Sequence, residues 1–123
     1  MPDPNLTILY VNDPLASAAF YADLLGRPPV ESSPTFAMFA FDSGLMLGLW
    51  SRHTATPAAT AAGGGGEIAF TASDADAVRA MHADWRRRGI EIIQAPTDLD
   101  FGHTFVALDR DGHRLRVFAP AAP

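Results

Sequence analysis

The hydrophobic positions of this chain recur with two periods, two residues in some stretches and between three and four in others, and the alternation between them outlines the fold. Leu6-Thr7-Ile8-Leu9-Tyr10-Val11 is rich in β-branched and aromatic residues and reads as a strand. Asp13-Pro14 starts a helix, with Asp at the N-cap and Pro at the first helical position. That helix runs through Ala18, Tyr21, Ala22 and Leu25 and stops at Gly26. Pro28, Pro29 and Pro34 make the next segment extended and irregular. Phe36 to Phe41 is a strand, Asp42-Ser43-Gly44 a tight turn, and Leu45 to Trp50 the returning strand. In that last strand the period of two sends Leu45, Leu47 and Leu49 to one face and Met46, Gly48 and Trp50 to the other. The leucine face suits packing on helices. The opposite face sets a thioether and an indole around a glycine gap, which suits the wall of an apolar pocket.

The pattern then repeats. Glu67 to Ala72 reads as a strand, and Ser73 with Asp76 three residues on resembles a capping box. The helix that follows carries Val78, Met81 and Trp85 on one face and ends at Gly89, so Trp85 belongs to the core. Ile90 to Ile93 is a short strand, and Thr104 to Leu108, a turn at Asp109-Arg110-Asp111-Gly112, and Arg114 to Phe118 make a closing hairpin. The chain therefore reads β-α-β-β-β twice, an α+β fold in a single domain over 1–123. Its modules span 5–50 and 66–119 and are joined by a flexible Ala/Gly-rich linker over 51–65. The run of four glycines, Gly63 to Gly66, is not a phosphate loop, because no Lys-Ser/Thr follows and a strand comes next.

Composition narrows the classes. The chain has 123 residues, 48% of them hydrophobic, enough for one ordinary core. No apolar run is long enough to span a bilayer and no signal peptide is evident, so the expectation is a soluble, cytoplasmic protein with no membrane partner. There are no cysteines, hence no disulfides and no thiolate ligands. A net charge of −5 argues against a nucleic-acid partner. Arg86-Arg87-Arg88 sits in the last helical turn, where cations favour the helix dipole, and reads as a solvated face. His53, His82, His103 and His113 show no metal-ligand spacing.

Val11-Asn12-Asp13, Ala19-Phe20-Tyr21 and Leu24-Leu25-Gly26, followed much later by Asp109-Arg110-Asp111-Gly112-His113-Arg114, resemble the opening module and closing hairpin of one family. It is the glyoxalase/bleomycin resistance/extradiol dioxygenase (vicinal oxygen chelate) superfamily. The resemblance covers nearly the whole chain. It implies two βαβββ modules forming cupped mixed sheets, a homodimer, and in some members modules exchanged between chains. The superfamily's enzymes hold a divalent metal at four positions, which here fall on Leu6, Gly48, Glu67 and Arg116. Leu and Gly offer no side-chain ligand and Arg repels a cation, so no metal or other cofactor is expected. The same correspondence gives the pocket face: Leu6, Ile8 and Tyr10; Met46, Gly48 and Trp50; Glu67, Ala69 and Thr71; Arg114, Arg116 and Phe118. The alternates (Leu9, Val11, Ile68, Phe70, Leu47, Leu115, Val117) are apolar and face helices. Glu67 and Arg116, at former ligand positions, are expected to pair with each other, because a buried charge needs a partner.

Ser33 to Phe39 and Leu47 to Arg52 look most like the phenazine-antibiotic-resistance branch. There a tryptophan at the position of Trp50 stacks on a planar drug, and a planar side chain of the facing chain closes the sandwich. The resemblance thus implies a metal-free protein that sequesters a planar aromatic compound. Trp50, Gly48, Met46, Phe36, Met38, Tyr10 and Ile8 would line the site, and Arg114 or Arg116 would receive a ligand carboxylate. Phe101, Gly102 and His103, in a loop before the last hairpin, would close its mouth, with His103 as a second stacking group. The alternatives are a metal-dependent lyase, isomerase or dioxygenase, a metal-free enzyme using Glu67 as general base, and an interaction domain with a collapsed pocket. Trp50 in that last case is an interface or core residue.

Overall fold

The computed structural model describes residues 1–121. The chain divides into two compact units, Met1–Ala61 and Ala62–Pro123. In the first, β1 (Leu6–Val11) leads to α1 (Pro14–Leu25), β2 (Glu31–Ser32), β3 (Phe36–Ala40) and β4 (Met46–Ser51). The sheet order is β1-β4-β3-β2, with β1 parallel to β4 and the other pairs antiparallel. Two adjacent parallel strands need a crossover, and α1 supplies it. Its start and stop are written locally. The Leu15 and Ala16 N–H groups donate to Asp13 Oδ1 over 3.1 and 3.3 Å. Gly26 takes a left-handed turn at φ 67° and its N–H donates to Ala22 O. Tyr21 of α1 packs with Val11, Ala37, Phe39, Leu47 and Leu49 in the buried core, and the Tyr21 and Phe39 ring centres lie 6.4 Å apart. Each such side chain contributes about 1.5–3 kcal/mol on burial.

The second unit repeats the plan. β5 (Glu67–Thr71), α2 (Ala75–Arg87), β6 (Ile92–Leu99), β7 (Gly102–Leu108) and β8 (Arg114–Pro120) form a sheet in the order β5-β8-β7-β6, with β5 parallel to β8. Trp85 of α2 is buried between Phe70 and Phe105, edge-on to both at 5.8 and 5.3 Å. Val78, Leu115 and Val117 complete the layer under the helix. Among the described residues the fold is therefore two helices and two mixed four-stranded sheets, the α+β class expected. No helix among them is long and apolar enough to cross a membrane.

Several local expectations are corrected. Leu45 lies before β4, in the turn, and is exposed, so the helix-facing row of that strand holds two leucines, not three. The cap of α2 is Asp74 rather than Ser73: Asp74 Oδ1 accepts the Ala77 N–H at 2.8 Å, while Asp76 pairs with Arg79. β6 is longer than Ile90–Ile93 and runs through Pro96. It is the edge strand, and its register slips twice, so the missing donor of Pro96 is tolerated there. β7 accordingly starts at Gly102, not Thr104, with Asp100 and Phe101 as the turn between β6 and β7. The start of the Ala/Gly-rich segment is packed rather than loose. The Ala55 N–H donates to Ser51 O, Ala55 is buried, and His53 Nε2 lies 2.7 Å from Asn12 Oδ1.

Gly102 is the tightest point of the second sheet. Its φ is +151°, and a Cβ there would sit 1.9 Å from the carbonyl oxygen of Ala119 on the neighbouring strand. Gly89, at φ +78°, faces open space. Gly102→Ala is expected to cost about 2–3 kcal/mol or more, and Gly89→Ala about 1 kcal/mol. Chemical denaturation of both variants checks this; equal losses contradict the close approach.

Candidate functional site

Strand register lays the first unit's open face out in rows. Tyr10, Trp50 and Phe36 stand side by side across β1, β4 and β3. Ile8, Gly48 and Met38 form the next row, and Leu6, Met46 and Ala40 the last. This is the face turned away from α1, since the intervening residues Val11, Leu47, Leu49, Ala37 and Phe39 are the buried ones. It is apolar and open: Leu6, Ile8 and Tyr10 are 40%, 39% and 40% exposed. Large apolar side chains left this accessible along an edge strand mark a surface built to be covered. The Tyr10 and Trp50 rings are neighbours, 6.1 Å apart, with their planes tilted 39° to each other.

The glycine gap beside Trp50 is not empty. A Cβ on Gly48 would meet Phe36 ring carbons at 3.0 and 3.1 Å and Ile8 Cγ1 at 3.4 Å. The missing side chain lets the Phe36 ring lie down on the strand, and Gly48 is buried beneath it. The expected notch is therefore a seat for Phe36.

The second unit's open face is different in kind. Its rows are Glu67, Arg114 and Leu108; Ala69, Arg116, Val106 and Gln94; and Thr71, Phe118 and Thr104. Glu67 and Arg116 form a two-pronged pair. Arg116 Nε donates to Oε1 at 2.7 Å and Nη2 to Oε2 at 3.0 Å. Arg116 Nη1 donates to Thr104 Oγ1 at 3.1 Å, and that hydroxyl in turn donates to Val117 O at 2.8 Å. The guanidinium carbon of Arg116 lies 5.5 Å from the centre of the Phe101 ring, which meets Phe118 edge-on. Arg114 Nε sits 3.0 Å from Glu67 Oε2. The Arg116 hydrogen bonds hold the Glu67 carboxyl below its ordinary range; burial opposes them, and the charges of Arg116 and Arg114 add to them. A carboxylate so held is a poor general base.

Nor do these residues fit a divalent cation. Of the four positions that the superfamily resemblance assigns to metal ligands, Leu6 and Gly48 carry no donor, Arg116 is a fixed cation, and both oxygens of Glu67 already accept from it. Among the described residues no group of three or more His, Asp or Glu side chains converges elsewhere.

His103 is the one expected site residue the structure turns away. Because β7 starts at Gly102, Thr104 and Val106 share the open face, and His103 lies on the α2 side with Phe105. Its Nδ1 is 2.7 Å from Asp98 Oδ1 and its Nε2 3.4 Å from Arg79 Nη1 of α2. It ties helix to sheet edge and is not a stacking group on the Arg116 face. Thr104, not singled out in the sequence, is the residue that orients Arg116; the hairpin register, which pairs Thr104 with Phe118 and Val106 with Arg116, is the signal that points to it.

Comparison with known proteins gives a consistent family. The model of the Glyoxalase/Bleomycin resistance protein/Dioxygenase superfamily matches residues 4–117. The phenazine antibiotic resistance protein EhpR of Enterobacter agglomerans is 27% identical over 117 residues, 93% of this chain and 89% of that protein. An Agrobacterium tumefaciens protein solved by solution NMR is 51% identical with a TM-score of 0.91, covering 99% of this chain and 100% of that one. A glyoxalase/bleomycin resistance protein/dioxygenase from Nocardioides has a TM-score of 0.81 at 26% identity, over 98% of this chain and 84% of its own. A glyoxalase-related enzyme from Fulvimarina pelagi shares the fold, with a TM-score of 0.84 at 20% identity over 97% and 88%.

The Glu67 carboxyl has a lowered pKa, so its pairing stabilises the fold above the ordinary value of 4.5 and is lost as pH falls through the folded-state value below that. Glu67→Gln is expected to cost about 0.5–1 kcal/mol at neutral pH. The gap to the parent protein narrows on acidification to about pH 3. Urea denaturation at the two pH values measures it; a gap that stays constant contradicts the pairing.

Proposed function

The chain belongs to the glyoxalase/bleomycin resistance protein/dioxygenase superfamily, and from that premise we propose that it is a metal-free small-molecule-binding protein that sequesters a planar aromatic compound. The observation that carries the reading is the row of Tyr10, Trp50 and Phe36 on an open apolar face. A flat indole presents large contact area at little cost in side-chain freedom and favours offset stacking with a planar heterocycle. Ile8, Met38 and Met46 extend that surface, and methionine adapts its shape to a guest. The phenazine antibiotic resistance relative supports a tricyclic phenazine as the compound class. The engaged Glu67 supports a binder over an enzyme that uses this residue as base. The reading includes a homodimer, supported by Leu6, Ile8 and Tyr10 standing exposed on the edge strand β1.

Fluorescence tests this cleanly, because Trp85 is buried in the core and Trp50 is the tryptophan open to a ligand. Titration with phenazine is expected to quench Trp50 emission with saturation, and Trp50→Leu to weaken binding, read by calorimetry, about tenfold or more. No quenching across a panel of planar tricycles contradicts the reading. Light scattering is expected to give twice the chain mass of 13.1 kDa; a monomer at micromolar concentration contradicts the dimer.

A further inference from the structure

On the open face of the first unit's sheet the aromatic side chains do not all keep to the rows of the backbone. Tyr10, Trp50 and Phe36 share a row by register, but the Phe36 ring leaves it. Its Cζ and Cε1 carbons lie 3.0 and 3.1 Å from where a Cβ on Gly48 would stand, and Ile8 Cγ1 flanks the same point at 3.4 Å. Gly48 pairs with Met38 in the next row, so the ring reaches two residues along β4 from Trp50, about 7 Å at the ordinary rise of a strand. Strand parity gives Gly48 the same face as Trp50, so the ring lies on the open side of β4, and Phe36 is half-buried there. A planar guest lying on the Trp50 indole meets different neighbours in different directions. Across the strands stands Tyr10, tilted 39° to the indole, so a rigid plane flat on one ring is not flat on the other. Along β4 stands Gly48, which raises no side chain of its own, and the group met above it is the Phe36 ring.

We propose that the ligand lies lengthwise along β4, one end on Trp50 and the other on Phe36, so that the site selects linearly fused ring systems by their length. A short ring system on the indole stops before the Phe36 ring, whereas three linearly fused rings reach it and gain a second aromatic contact. Gly48 is the positioning residue of this arrangement. It acts through Phe36, because any side chain at 48 takes the place of the ring carbons that now lie over it. The inference rests on the preceding reading for the contact with Trp50, and adds to it the second contact and the selection by length.

The test compares phenazine with quinoxaline, which carries the same two ring nitrogens and is shorter by one fused ring. Calorimetry is run on the parent protein, Phe36→Ala, Phe36→Leu (which keeps the bulk of the side chain), Gly48→Ala, the Phe36→Ala/Gly48→Ala double variant and Trp50→Leu. Phe36→Ala, Phe36→Leu and Gly48→Ala are each expected to weaken phenazine about fivefold while leaving quinoxaline within about twofold. Gly48→Ala is expected to add nothing once Phe36 is alanine, and Trp50→Leu to weaken both compounds. A general loss of structure weakens both alike, so the split between the compounds is the readout of length. Equal effects on the two compounds, or none on either, in the folded Phe36 variants overturn the inference, as does a Gly48→Ala effect that persists in the double variant. Where Trp50→Leu still weakens both, such a result overturns this inference alone. Binding indifferent to Trp50→Leu, or no binding of either compound, overturns the stacking reading and this inference with it.

Discussion

In each unit the constraint from which the rest follows is a parallel strand pair closed by a helix: β1 with β4 across α1, and β5 with β8 across α2. A crossover helix must lie on one face of its sheet, and the strand period of two then assigns every side chain either to that helix or to the opposite side. Val11, Leu47 and Leu49 are buried under α1, and Phe70, Leu115 and Val117 lie on the α2 side. What remains points to the side away from the helix. One open face is aromatic and aliphatic, and the other carries charge.

The charged face also shows what this chain holds at positions that the superfamily resemblance assigns to metal ligands. Glu67 keeps an oxygen donor, but the Arg116 guanidinium occupies both of its oxygens, and Thr104 and Phe101 hold that guanidinium in place. A positive charge is thus supplied by a side chain instead of an ion. Two-pronged geometry and a hydroxyl on the third nitrogen are the conditions under which a half-buried ion pair repays its desolvation. The same contacts lower the basicity of Glu67, so structure and acid–base behaviour point the same way.

Much of this was legible in the residues. The family correspondence, read with strand alternation, put Glu67, Arg114, Arg116 and Phe118 on one face, and the rule that a buried charge needs a partner anticipated the Glu67–Arg116 pair. Asp13 and Gly26 marked the ends of α1 because caps are local chemistry. The failures lie where tertiary context overrides a local sign. The short strand expected over Ile90 to Ile93 lies instead at Ile92–Leu99, an edge strand that tolerates Pro96, and with its length went the start of β7 and the side on which His103 lies. Ser73 and Asp74 are both good caps, and only the chain direction into α2 chooses between them. Gly48 does lack a side chain, but what fills the space is a residue from β3 whose rotamer no one-dimensional pattern encodes.

The most direct measurement is a crystal structure of the protein grown with phenazine-1-carboxylate. The account predicts the tricycle lying along the indole of Trp50, with its atoms about 3.5–4.0 Å from the ring plane. It also predicts Glu67 still clasped by Arg116. A tricycle bound elsewhere with the Trp50 face bare, or Glu67 swung away from Arg116 to ligate a metal ion, would contradict it.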